Sequence, residues 1–274
     1  MAVSEPTVER GPVDLQTSDD PAFVQSLERG LTVLRAFNAE QSRLTLSDVA
    51  KLTGLDRSVA RRFLHTMVHR GYLRSDGQTF ALHPRAMRIG TAYLSSLSFP
   101  KVAAPHLADL AAAVHESSSM SVLDGGEIVY VARIPTTRLI TISTSVGTRL
   151  PAYATSMGRV LLAHRPDEWI DGYLASATLR PLTSHTVTDT RQLRAELRRV
   201  RDQGWALVDE ELAYGLRSIA VPLHGPTGEV VAAVNTSTDV SRRSVDELRD
   251  DVLPHLRSAA RLIETALASS RGKA

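Results

Sequence analysis

The stretch 54–74 constrains this chain most. Between Arg57 and Arg74 it carries five arginines and two histidines and no acid. Ala60, Phe63, Leu64, Met67 and Val68 recur there at helical spacing, which predicts a helix with one buried face and one cationic face. Arg57, Ser58, Arg61, Arg62, His65 and Thr66 fall on the free face. Guanidinium forks match both phosphate oxygens and the O6/N7 edge of guanine. The helix therefore has the chemistry of a major-groove reader.

A basic amphipathic helix alone is more often a solvated face, so its neighbours matter. Thr45-Leu46-Ser47-Asp48 fits a capping box with Thr45 as N-cap. Val49, Ala50 and Leu52 follow, and Gly54 suits a left-handed stop. Gly54-Leu55-Asp56 then leads into the basic helix, with Asp56 placed to cap it. Two helices joined by so short a glycine-containing turn are a helix-turn-helix. Upstream, Asp20 as cap and Pro21 at the first helical position, with Phe23, Leu27, Leu31 and Leu34 on one face, predict an earlier helix. Downstream, Asp76-Gly77 sits between two short strand-like runs and predicts a β-hairpin. Together these elements predict a winged helix-turn-helix over 22–83, with Arg74 and Gln78 flanking the wing tip. Double-stranded DNA is the expected partner, touched by Thr45, Arg57, Ser58, Arg61, Arg62, His65, Thr66, Arg74 and Gln78.

The chain as a whole is nearly neutral, +2 over 274 residues, so affinity for DNA has to come from that local patch. Cysteine is absent, which removes disulfides and thiolate metal sites and fits a reducing cytoplasm. The sequence has no apolar run of membrane-spanning length and no signal-peptide pattern. We expect a cytoplasmic protein with no membrane partner. Residues 1–21, poor in apolar side chains, read as a disordered tail.

Met87, Ile89, Ala92, Tyr93, Leu94 and Leu97 predict a linker helix over 84–99, ended by Pro100. It either pairs with its copy in a dimer or packs on its own domain. Beyond it the texture changes. A helix to about His115 is followed by strand-like runs at 119–123, 128–132 and 139–143, with Asp124-Gly125-Gly126-Glu127 as a turn. Helical patterns cover 155–164, 167–176 and 189–203. Further strands are expected at 205–209, 219–223 and 230–236, and a last helix at 244–269. Strands and helices interleave without a βαβ rhythm, so residues 100–270 predict an α+β domain with a mostly antiparallel sheet.

Other constellations carry less. Asp209-Glu210-Glu211 cannot all face one site from an extended strand, and reads as a structural or solvated cluster. The histidines form no zinc spacing, the glycine turns fit no phosphate loop, and there is no nucleophile elbow. We expect no catalytic residue, no metal and no cofactor. The alternative, an enzyme acting on a small organic acid with an appended DNA-binding domain, finds no nucleophile–base pair to support it.

The order of elements resembles the IclR family of bacterial transcription regulators. The resemblance rests on Ser26-Leu27-Glu28-Arg29-Gly30-Leu31, on Asp56-Arg57-Ser58-Val59-Ala60-Arg61-Arg62-Phe63-Leu64, on the run L-P-A-Y-A-T-S-M-G-R-V-L-L-A at 150–163, and on Gly215-Leu216-Arg217-Ser218-Ile219-Ala220. It covers about 22–270. The form of the later motifs is similar to the branch that regulates the β-ketoadipate pathway, with genes for protocatechuate and 4-hydroxybenzoate breakdown. The resemblance implies a GAF-like second domain that binds a small organic acid, aromatic or dicarboxylic, and a dimer or dimer of dimers. It puts Ser156, Met157, Asp209, Ser218, Asn235 and Ser237 at the effector site. Val208, with Asp209 beside it, stands where relatives that take very small keto acids carry an acid, which points to a larger effector. Physically, free N–H groups in the first turn of a helix near Ser156 suit an anion. The hydroxyls and the Asn235 amide complete its hydrogen bonds, and Tyr153 and Met157 would form the apolar wall.

Overall fold

The computed structural model describes residues 20–38, 41–136 and 144–271. They form two compact units that divide between Ser96 and Leu97. The expected tail, apart from Asp20 and Pro21, and the strand expected at 139–143 lie outside the described residues.

The first unit runs α1 (Gln25–Arg35), β1 (Leu44–Thr45), α2 (Leu46–Thr53), α3 (Arg57–His69), β2 (Leu73–Ser75), β3 (Thr79–Leu82) and α4 (Met87–Ser96). Val33, Phe37, Leu44, Val49, Ala60, Leu64 and Leu73 make its core. The capping box at Thr45 forms in full, and Gly54 ends α2 at φ 65°. The wing is a three-stranded sheet of order β1-β3-β2. Two-residue β1 carried no periodic signal in the sequence. The wing turn spans 76–78, one residue longer than an Asp-Gly turn, because the Asp76 carboxylate accepts from Gln78 N, Thr79 N and the Thr79 hydroxyl.

Three expectations need correction here. Asp20 and Pro21 do not open α1. Asp20 closes a separate turn by accepting from Ala22 N at 2.8 Å, and the helix starts at Gln25. Within α1, Thr32 and Val33 are buried, whereas Leu27 and Leu31 are 60% and 47% exposed; of the expected face within the helix, Leu34 packs on the core. Pro100 does not end the linker helix. The break falls at Leu97, and Pro100 sits in the first turn of the next helix, where its missing N–H costs nothing.

The second unit contains α5 (Ser98–Val114), β4 (Ser117–Asp124), β5 (Glu127–Ile134), β6 (Arg149–Pro151), α6 (Ser156–Ala163), α7 (Asp167–Ser176), α8 (Thr190–Gln203), β7 (Ala206–Asp209), β8 (Leu216–His224), β9 (Val230–Asp239), α9 (Val245–Glu247) and α10 (Leu253–Arg271). One six-stranded sheet of order β6-β5-β4-β9-β8-β7 organises it, and every neighbouring pair is antiparallel. Helices α5 and α10 pack on one face and α6 on the other, so the central strands are buried on both sides. The expected last helix forms, but it opens into a π-turn at Leu248–Val252. Pro254 follows this turn and has no N–H to give the Asp250 carbonyl, so the regular i→i−4 bond cannot form there.

Candidate functional site

In the first unit, Arg57, Ser58, Arg61, Arg62, His65 and Thr66 are all exposed on α3. At about 100° per residue they sweep roughly half the circumference, while Ala60 and Leu64 are fully buried on the other half. Arg57, Arg61 and Arg62 form no ion pair among the described residues. Their charge stays available to phosphates and base edges. Arg74 and Gln78 are exposed on the wing, as expected. Asp56 occupies the N-cap position without its side chain accepting a bond. Two side chains have their hydroxyls committed elsewhere. Thr66 Oγ1 donates to Arg62 O at 2.8 Å. Thr45 Oγ1 donates to Asp48 Oδ2 at 2.7 Å and accepts from Asp48 N, the capping role also expected of it. The same bond lowers the Asp48 pKa.

The second unit holds a cavity, with about 310 Å³ of empty space when its mouth is included. Tyr130 on β5, Ala154 to Met157 at the start of α6, Val208 on β7, Leu212 and Leu216, Ser218 on β8, and Asn235 and Ser237 on β9 line it. Strand register explains the grouping. Ser218 pairs with Ser237 and with Val208, and Asn235 lies two residues along β9 on the same face. Thr236 and Thr238, between and beyond them, point the other way and are fully buried.

The polar groups at this wall are not all spent. Ser156, 1% exposed, has a hydroxyl with no hydrogen-bond partner, and Asn235 Oδ1 has none either. Buried polar atoms are ordinarily paired. Asn235 Nδ2 donates to Ser237 Oγ at 3.0 Å; rotating the amide by half a turn lets that hydroxyl donate to Oδ1 and turns two N–H groups toward the cavity. Thr155 caps α6 by accepting from Gly158 N, which leaves the first-turn N–H groups of Ser156 and Met157, two residues of the cavity lining, outside the cap. Gly158 is required by close approach: a Cβ there would lie 2.2 Å from Ala152 O.

The structure brings Ser156, Met157, Ser218, Asn235 and Ser237 together at the cavity, and leaves out two residues expected there. Tyr153 is buried in the core and donates its hydroxyl to Arg180 O at 2.8 Å; burial raises its pKa, while the bond to Arg180 O works in the opposite direction. Asp209 takes the other face of β7, bound on both oxygens by Arg217 at 2.7 and 2.8 Å, because alternation gives Val208 to the cavity. Tyr130, Leu212 and Leu216 were missed. No local signal marks them: Tyr130 and Leu216 arrive on strands paired across the sheet, and Leu212 on the segment between β7 and β8. Behind the wall, Arg159 is 2% exposed. It donates to Glu211 Oε2 at 2.5 Å and to Tyr153 O at 3.0 Å, joining α6 to the segment that carries Leu212. Asp209, Glu210 and Glu211 thus serve three separate places, for Glu210 Oε1 accepts from Gly215 N.

Comparison with known proteins assigns both units. The family description "IclR helix-turn-helix domain" matches residues 26–77 and "Bacterial transcriptional regulator IclR C-terminal" matches 91–265. The chain belongs to the IclR family of transcriptional regulators. A regulator from Rhodococcus sp. RHA1 is 51% identical and superposes with a TM-score of 0.78 over 90% of this chain and 100% of its own. The Pca regulon regulatory protein of Pseudomonas putida is 45% identical over 88% of this chain and 84% of its own length. An IclR homologue from Microbacterium hydrocarbonoxydans, solved with 4-hydroxybenzoate, is 29% identical with a TM-score of 0.76 over 89% of this chain and 99% of its own. The matches extend nearly end to end, so this IclR regulator carries both the DNA-binding and the effector-type domain. Among the described residues no helix is long and apolar enough to cross a membrane.

Proposed function

We propose that this IclR regulator senses a small organic acid in the cavity bounded by Tyr130, Ser156, Ser218, Asn235 and Ser237, and controls genes of aromatic-acid catabolism from the cytoplasm. The carrying observation is the unpaired Ser156 hydroxyl, buried beside the free N–H groups that open α6. That arrangement is a receptor for a carboxylate: the first helical turn offers oriented donors and the hydroxyl adds one more. The names of the Pseudomonas putida relative and of the p-hydroxybenzoate hydroxylase activator of Acinetobacter baylyi, 38% identical over 90% of this chain, support the gene class. We read the cavity as a sensor, without turnover.

On DNA, α3 enters the major groove and Arg74 and Gln78 of the wing reach the flanking backbone. Met87, Ile89 and Tyr93 of α4 and Val24, Leu27 and Leu31 at α1 are large apolar side chains left exposed. Such surface favours self-association, and a dimer would read two half-sites about one helical turn or a multiple of it apart. The effector acts by binding one conformation better than the other.

Fluorescence anisotropy on DNA from upstream of the protein's own gene, with and without protocatechuate, 4-hydroxybenzoate and β-ketoadipate, tests this directly. Salt-sensitive binding altered by one of the acids is expected. Ser237→Leu, which fills the cavity, should keep the DNA affinity and lose the response; a variant that still responds would place the effector elsewhere.

A further inference from the structure

We propose that Tyr130 sets effector specificity: its phenol donates a hydrogen bond to an uncharged oxygen of the ligand, remote from the carboxylate. This rests on the effector reading above and narrows it to acids that carry a second, neutral oxygen.

Tyr130 reaches the cavity from β5, while Asn235 and Ser237 reach it from β9 and Ser218 from β8. In the sheet order β5 stands two strands from β9 and three from β8. At about 4.8 Å per strand the backbones that carry the two polar ends stand roughly 10–14 Å apart along the sheet. The position of the phenol is built locally. Met120 pairs with Ala132 but Ser121 pairs with Tyr130, so Val131 is the extra residue of a β-bulge. Bulges re-aim the side chains beside them. Tyr130, paired with Ser121 in the unbroken register from the turn, faces the same way as Ser121, whose hydroxyl donates to Met157 Sδ at 3.2 Å on the cavity wall.

The hydroxyl at the end of this side chain is unspent. The residue is 7% exposed, yet no hydrogen bond reaches its oxygen among the described residues. Its oxygen is not among the enclosed unpaired atoms, so it opens onto accessible space and not into packed core. Tyr153, nearby in the same core cluster, illustrates the ordinary case by donating to Arg180 O. Burial pushes the Tyr130 pKa up to about 12, against a smaller opposing pull from the charge of Arg133. At neutral pH the group is therefore a protonated donor, suited to a phenolic or keto oxygen.

Titration calorimetry on the full chain with two matched pairs tests the inference: 4-hydroxybenzoate against benzoate, and β-ketoadipate against adipate. Each pair differs by one neutral oxygen, on a ring in the first and on a chain in the second. The wild type should favour the oxygenated member of the pair it binds by about 3- to 10-fold, the worth of one net hydrogen bond. Tyr130→Phe should bring that ratio close to one. Tyr153→Phe, whose hydroxyl is spent elsewhere, should preserve the ratio. Thermal melts of the free variants check that each is folded. A ratio that survives in Tyr130→Phe, or is lost equally in Tyr153→Phe, overturns the role of Tyr130 while the effector reading stands. Binding of none of the four acids overturns both.

Discussion

The arginines of α3 and the arginine of α6 use the same side chain in opposite ways. Arg57, Arg61 and Arg62 are exposed and unpaired among the described residues, so their charge is free to meet DNA. Arg159 is enclosed, with its guanidinium on the Glu211 carboxylate and the Tyr153 carbonyl. It holds the cavity wall together and touches nothing outside. The difference is one of solvation. An exposed guanidinium costs nothing to keep and gains when phosphates displace its counterions. A buried one persists only while every donor is matched, and becomes a liability when its partner goes.

The comparison predicts its largest effect at Arg159. Arg159→Leu leaves Glu211 buried and charged and should cost about 3–5 kcal/mol of stability. Arg61→Leu, on the exposed face, should leave stability within about 0.5 kcal/mol. Chemical denaturation of both variants is the measurement. Similar losses in the two would erase the distinction.

Gly158→Ala is next. The added Cβ meets backbone at Ala152, at 2.2 Å from its oxygen and 2.4 Å from its Cα, and backbone cannot swing aside as a side chain can. Overpacking of this kind costs about 1–3 kcal/mol. The displacement falls on the first turn of α6, so acid binding should weaken well beyond any change in DNA affinity. Calorimetry with the bound acid and anisotropy on DNA separate the two.

These two positions also mark what was legible in the sequence. The reading helix was visible because its signal is local: apolar spacing, a run of arginines and a cap lie within a few turns of one another. The motif around Ser156, Met157 and Gly158 was recognisable as a motif, yet its function depends on β8 and β9 lying beside it. Alternation then decided details that spacing alone could not, giving Val208 to the cavity and Asp209 to Arg217. Tyr130 became a wall residue through its pairing with Ser121 beside a one-residue bulge, an arrangement with no mark in the sequence. β1 escaped for a simpler reason, since two residues carry no period.

At a smaller scale, Arg61→Ala should weaken specific DNA binding by about 1–3 kcal/mol if the side chain reads a base edge. If it contacts phosphate only, affinity falls alike on specific and random DNA, and the slope of log K against log salt drops by about 1. Anisotropy over a salt series on both DNAs distinguishes these outcomes, and an unchanged affinity throughout would remove Arg61 from the interface.

The smallest effect belongs to the wing turn. Thr79 N, the Thr79 hydroxyl, Gln78 N and the charge of Arg43 hold the Asp76 carboxyl down to about 2 from an ordinary 3.8. The folded turn binds the proton more weakly than the unfolded chain does. Its contribution is therefore complete above about pH 4 and disappears as the pH falls through about 2. Asp76 is fully exposed, so solvent screens the gain, and the readout has to be local. The Thr79 amide should stay protected from hydrogen exchange down to about pH 4 and lose protection near 2, while in Asp76→Ala it should be unprotected at every pH. DNA binding at neutral pH gives the complementary check. If the turn serves only to present Arg74 and Gln78, Asp76→Ala should weaken it less than Arg61→Ala does, and a larger loss would move the centre of the interface from the helix to the wing.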